Sequence, residues 1–282
     1  MRHCSLPILF EDKDLIAVNK PAGLLSVPIK GASVVSALFH VNQYLAQRRE
    51  RALVVHRIDR YTSGLVLFAK GQQNHELLRD QFQSRAPQRK YLAVIEGRIR
   101  PPKGELRHYL KLNDTGFKQM LSKKGEEGAA LALLHYEAKQ FFAGATLVEV
   151  SLDTGLKNQI RVQFAVAGHP LIGERQYVNA HTAPHAQGLP RFDHQALHAA
   201  SLEFEHPQTH KLIQLTAPID EDMKRLLQEL ERGVVTSPLG IPLVAQVGQA
   251  DTRSESLSKT RPLGKHRTRS QRRRNSSTAH RK

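Results

Sequence analysis

Between residues 146 and 153, Val148, Val150 and Leu152 alternate with Glu149, Ser151 and Asp153. In an extended chain, a period of two sends the first three side chains to one face and the others to the opposite face. That pattern predicts a half-buried strand in an antiparallel sheet. Apolar or alternating runs bounded by turn residues predict further strands at 14–19, 64–69, 90–96, 130–136, 196–204 and 211–215. A longer period marks 220–232, where Met223, Leu226, Leu227 and Leu230 recur at i, i+3, i+4 and i+7. Asp220, Glu221 and Asp222 stand at the end where a helix dipole favours negative charge, and Gly233 follows the last turn. Helices are also predicted at 33–49, 72–84 and 158–167.

Strands outnumber helices, no G-x-G-x-x-G turn follows a strand, and the chain carries no internal repeat. These features favour an α+β fold over a doubly wound nucleotide-binding one: a mixed, mainly antiparallel sheet with flanking helices. No apolar run approaches the ~20 residues of a membrane span, and residues 1–7 lack the apolar stretch of a secretory signal. One cysteine, Cys4, excludes an internal disulfide and a Cys-rich zinc site, so a cytoplasmic setting is expected.

Charge adds a partner. The 282 residues carry 42 Lys and Arg against 26 Asp and Glu, a formal +16. A surplus of that size points to a polyanion, either nucleic acid or an acidic membrane face. From 251 to 282, eleven Lys and Arg face only Asp251 and Glu255, in a stretch rich in Ser and Thr and poor in apolar residues. Such a segment cannot bury enough surface to order itself. The reading is a folded domain over 1–235, itself basic, followed by a linker and a disordered basic tail over 236–282. The Arg272-Arg273-Arg274 cluster fits an RNA clamp and a solvated tail equally well.

Two segments carry chemistry. In Val54-Val55-His56-Arg57-Ile58-Asp59-Arg60-Tyr61-Thr62-Ser63-Gly64, a polar turn between two apolar strands presents one carboxylate, Asp59, between Arg57 and Arg60. Neighbouring cations favour the ionised form that a nucleophile or base requires, although a structural Arg–Asp pair closing a turn has the same spacing. In Asp153-Thr154-Gly155-Leu156-Lys157-Asn158-Gln159-Ile160-Arg161, a strand gives way to a helix whose first backbone N–H groups can meet an anion. Ile160 and Phe164 would face the core, leaving Arg161 near the helix start to reach a carboxylate or phosphate.

At these segments the chain resembles the RluA-type pseudouridine synthases. Their H-R-[LI]-D-x-x-T-S-G pattern appears as His56 through Gly64, followed by apolar residues and Ala69-Lys70. Val18-Asn19-Lys20-Pro21-Ala22-Gly23-Leu24 and Arg89-Lys90-Tyr91-Leu92-Ala93-Val94-Ile95-Glu96-Gly97 are similar to two further blocks. Residues 153–177 and the Ala196-Leu197-His198-Ala199…Phe204-Glu205-His206-Pro207 segment match two more. Five blocks in order across about 10–230 are far more specific than one motif. Where the family usually has T-G-R-x-H, a later His and Gly-Asp, this chain has Thr154-Gly155-Leu156-Lys157-Asn158, Gln163 and Gly173-Glu174.

The resemblance implies isomerisation of uridine to pseudouridine in ribosomal or transfer RNA, without cofactor or metal, by a chain expected to act as a monomer. It implies Asp59 as the essential carboxylate, Arg161 as its ion-pair partner, and Tyr91 stacked on the target uracil. The uracil would be flipped out of its helix, with Arg57 filling the vacated space. Arg60, Thr62, Lys90, Lys157, Asn158 and Gln159 complete the expected RNA contacts. Two rivals remain: a zinc protein using the His181/His185, His194/His198 or His206/His210 pairs, and a non-catalytic RNA-binding module.

Overall fold

In the computed structural model, eleven strands pair into one sheet among the described residues. Those residues are 4–29, 35–178 and 188–233, with the backbone of 235–236 and 242–243. The strands are β1 (Ile8–Glu11), β2 (Leu15–Lys20), β3 (Ala52–Val54), β4 (Ser63–Lys70), β5 (Gln88–Glu96), β6 (Lys103–Leu112), β7 (Gln119–Ser122), β8 (Ala130–Phe142), β9 (Ala145–Leu152), β10 (Leu197–Glu205) and β11 (Leu212–Thr216). Four α-helices accompany them: α1 (Ala37–Leu45), α2 (Gln72–Gln83), α3 (Gln159–Val166) and α4 (Glu221–Glu231). Residues 1–245 form one unit and 246–282 a second. The expected basic tail and the His181/His185 pair lie outside the described residues.

The sheet runs β1-β2-β4-β10-β5-β9-β8-β6-β7, with β3 also on β4 and β11 also on β10. Every pairing in it is antiparallel except β4 with β10. β4 explains its own unbroken apolar run. Val66 and Phe68 enter one core, while Leu65, Leu67 and Ala69 enter another with Leu78 of α2. A strand covered on both faces has no use for a polar side. β9 alternates as expected, with Val148 and Val150 fully buried. Asp220 caps α4 by accepting the Met223 N–H at 2.9 Å.

Two expectations shift. The first helix starts at Ala37, capped by Ser36 Oγ at the Phe39 N–H, and tightens into a 3₁₀ turn at Ala46–Arg48. Strands β1, β6 and β7 were not foreseen. In β6 the inward positions include Gly104 and His108 beside Leu106 and Leu110, so its alternation is weak in apolar terms.

The β4–β10 junction positions the site. Ala199 of β10 pairs with Gly64 on one side and Tyr91 on the other. Gly64 has φ +110°, and a Cβ there would lie 2.3 Å from the Ala199 carbonyl oxygen. Glycine is therefore required for the two halves of the sheet to meet. Beside it, buried His198 bridges Ser63 Oγ (2.9 Å) and the Ala217 carbonyl (3.2 Å). Burial holds its ring below the usual pKa, which makes it a neutral structural link.

Candidate active site

The β3–β4 connection carries Asp59, and the segment after β2 clamps it. Ser26 Oγ donates to the Ile58 carbonyl at 2.8 Å and accepts the Ile58 N–H at 3.2 Å. The Gly23 N–H donates to the Arg60 carbonyl at 2.9 Å. Lys20, completely buried, places its Nζ on the carbonyls of Pro21 (2.9 Å), Leu24 (2.8 Å) and Arg60 (3.1 Å). Three carbonyls match the three donors of an ammonium, although burial pulls Lys20 down to about 7 against the attraction of Asp59 and Asp220. His56 accepts the Leu67 N–H at 3.0 Å and stacks on Phe82. Burial, and then the Arg89 charge, lower its pKa to about 3, so it anchors the loop as a neutral ring.

Asp59 opens into a cavity of about 180 Å³ whose walls include Arg57, Thr62, Arg89, Tyr91, Lys157 and Leu197. Tyr91 is 9 % exposed and rises from β5 in register with Ala199. Its pKa is raised, chiefly by burial. The cavity brings Asp59 and Tyr91 together with residues 155–160 at the start of α3, while Arg161 is not part of its lining and meets Asp59 directly.

Arg161 lies between two carboxylates that hold it unequally. Arg161 gives its planar fork to Glu174, Nε to Oε2 at 2.7 Å and Nη2 to Oε1 at 2.8 Å, and reaches Asp59 only at 3.9 Å. Two short charge-assisted bonds outweigh one longer contact, so Glu174 is the anchor of Arg161. Burial alone would push the Glu174 carboxyl up. The Arg161 guanidinium and the N–H groups of Gln176 and Tyr177 overcome that and hold it below the usual range. Asp59 goes the other way. Burial raises its pKa, and Arg161, Arg57, Lys157 and Lys20 only partly pull it back. The cations at Asp59 therefore do not fully offset the cost of burying its charge.

The expected RNA contacts separate into three groups. Arg57 is exposed at the cavity and makes no hydrogen bond or ion pair among the described residues. Lys157 lines the cavity, with Nζ on the Gly116 carbonyl at 3.1 Å, and Thr62 does so with its Oγ1 buried and unpartnered. Arg60 turns away, its Nε on the Gly23 carbonyl, and Lys90 lies outside the cavity beside Glu149. Asn158 and Gln159 are buried and their amides are spent inside the protein. Asn158, at φ 54°, donates to the Tyr177 hydroxyl and accepts from Arg161. Gln159 donates to the Leu133 carbonyl and accepts from Thr154 and Leu156. Both shape the turn before α3. Gln163, also internal, donates to the carbonyls of Leu106 and Ala132.

Sequence reasoning missed the roles of Lys20, Arg89 and Glu174. Lys20 had one signal, a single cation ending an apolar strand.

Neither histidine pair among the described residues, His194/His198 or His206/His210, forms a metal ligand set. His194 meets Asp222 while His198 is the β10 link already described. His210 pairs with Glu205. One further group, Asp12, Asp14 and His206, has ligand atoms within 4.8 Å of one another. His206 Nδ1 accepts the N–H groups of Gln208 and Thr209, so Nε2 carries the proton and donates to Asp12 at 2.9 Å. That nitrogen has no lone pair for a metal.

Comparison with known proteins places the chain in a family. Residues 14–166 match the family described as RNA pseudouridylate synthase. Ribosomal large subunit pseudouridine synthase D of Xylella fastidiosa is 36% identical over 245 residues, covering 80% of this chain and 69% of that protein. Its counterpart in Nitrosomonas europaea is 35% identical over 248 residues, covering 84% and 69%. The structure of human RNA pseudouridylate synthase domain containing 4 shares the fold, with a TM-score of 0.67 at 22% identity over 80% of this chain and 93% of that one. With a match across more than half its length and such relatives, the chain belongs to the RNA pseudouridylate synthases, isomerases that convert uridine in RNA to pseudouridine.

Proposed function

We propose that the enzyme modifies uridine in large-subunit ribosomal RNA, with Asp59 as its essential carboxylate and Tyr91 and Arg161 as its catalytic partners. The observation that carries this reading is a cavity holding one carboxylate, with an aromatic ring on its wall and a guanidinium 3.9 Å away. The bacterial relatives named above are ribosomal large subunit synthases, which supports that target. A ribosomal substrate places the work in the cytoplasm, and the chain acts as a monomer.

Isomerisation breaks the C1′–N1 bond, turns the uracil and joins C1′ to C5, so N1 gains a hydrogen and C5 releases one. The base never departs and no water is activated, so one carboxylate suffices where glycoside hydrolysis uses two. Asp59 acts on the sugar as nucleophile or as base, in either case ionised. Tyr91 stacks the uracil on the face of its buried ring. Arg161, held rigid by Glu174, keeps a positive charge beside Asp59 and favours the ionised form. Arg57, exposed at the mouth and unengaged, enters the RNA where the uridine has left. Lys157 meets the backbone at the rim, whereas Asn158 and Gln159 set the shape of the wall.

The test follows the hydrogen lost from C5. RNA carrying tritium at uridine C5 should release it to water with the wild-type protein and not with Asp59→Asn. Equal release by both would remove Asp59 from the mechanism.

A further inference from the structure

A second cavity, of about 280 Å³, adjoins the first and shares two wall residues with it, Arg89 and Leu152. Its remaining walls include Arg85, Lys90 and Asp153. Charge in this groove is mostly positive, and its one carboxylate faces His135 at 3.1 Å.

Arg89 stands at the neck between the two spaces. Its Nε is buried without a hydrogen-bond partner, and no carboxylate lies within ion-pair distance of its guanidinium among the described residues. An arginine is charged at every physiological pH, and its planar fork suits a phosphate. The fork also has room made for it. A Cβ on Gly155 would fall 2.6 Å from Nη1 and 3.2 Å from Nη2, so the bare glycine lets the guanidinium lie against the turn that leads to α3. Every other cation near Asp59 is either engaged by protein, as are Arg161 and Lys20, or exposed at the rim, as is Arg57.

We propose that Arg89 binds a backbone phosphate of the RNA strand next to the target uridine, and that the Arg85–Lys90 groove carries that strand away from the catalytic cavity. The inference rests on the reading that the cavity at Asp59 receives the uridine. With that nucleotide in place, its neighbour must leave past a shared wall, and Arg89 and Leu152 form such a wall. A phosphate there meets a guanidinium that, unlike exposed Arg57, has a buried and unpartnered Nε at the neck between the two cavities.

The experiment measures pseudouridine formation on ribosomal RNA from a strain lacking the enzyme, with the full-length protein, across a series of salt concentrations. Productive turnover reports only RNA seated at the active site, so charge elsewhere on the chain contributes equally to every variant. Arg89→Met keeps the apolar stem and should raise KM about tenfold or more. It should also make the slope of log kcat/KM against log salt shallower by about 0.7. Gly155→Ala should raise KM with the charge count unchanged, because it displaces the guanidinium. Arg89→Lys should retain the salt slope. Loss of kcat in Arg89→Met with KM and salt slope unchanged would overturn the proposal and make Arg89 a prop for the neighbouring His56 and Tyr91. Failure of the wild type to form pseudouridine is a different result, and would remove the reading of the cavity itself.

Discussion

At the scale of single residues, the site sets function against stability. Burial raises the Asp59 pKa above its ordinary value of 3.8, so the native state binds the proton more tightly than the unfolded chain. Stability from this group is therefore lost as pH rises through its folded pKa. Asp59→Asn should melt higher than wild type at neutral pH, and the gain should disappear in acid where Asp59 is protonated in both states. Thermal melts at two pH values check this; a variant less stable than wild type at neutral pH would contradict it. Glu174 has the opposite sign. Its folded pKa lies below the ordinary 4.5, so its contribution is present above that value and lost as pH falls through the folded one. Glu174→Gln leaves Arg161 buried without its anchor and should cost on the order of 3 kcal/mol in denaturant unfolding, with catalysis lost as well. Asp59 stood out in sequence because its turn is local and bounded by apolar strands, but only the family resemblance set it apart from a structural Arg–Asp pair. Glu174 and Arg89 did not stand out, since each matters through a contact formed across the fold: Arg161 with Glu174, and Arg89 with Gly155.

At the scale of elements, the periodic segments read true and the weakly periodic ones did not. β9 and α4 each bury a continuous apolar face, and their patterns matched the structure to within a residue or two. β6 and β7 rely on pairing with β8 and with each other, so backbone hydrogen bonds carry what the side chains do not advertise. The β4–β10 junction is the least legible feature, since Ser63 and His198 are 135 positions apart. It is also the most sensitive. Gly64→Ala would drive a Cβ into the Ala199 backbone at a φ of +110° and should destabilise the protein by on the order of 3 kcal/mol or more. Chemical unfolding monitored by far-ultraviolet circular dichroism measures it, and a loss below about 1 kcal/mol would mean the strands can part without cost.

At the scale of the whole molecule, charge and the order of motifs gave the partner and the chemistry, while topology supplied their meeting point. The +16 surplus indicated a polyanion, and the sheet brings residues from the 50s, 90s and 150s to one cavity. The central claim is that this cavity isomerises uridine in large-subunit ribosomal RNA through Asp59. The direct measurement incubates ribosomal and transfer RNA from a strain lacking the enzyme with wild-type protein or Asp59→Asn, then maps pseudouridine by carbodiimide-dependent primer-extension stops. The account predicts a new stop in large-subunit ribosomal RNA that the wild type produces and Asp59→Asn does not. A stop that survives Asp59→Asn, or stops confined to transfer RNA, would contradict it.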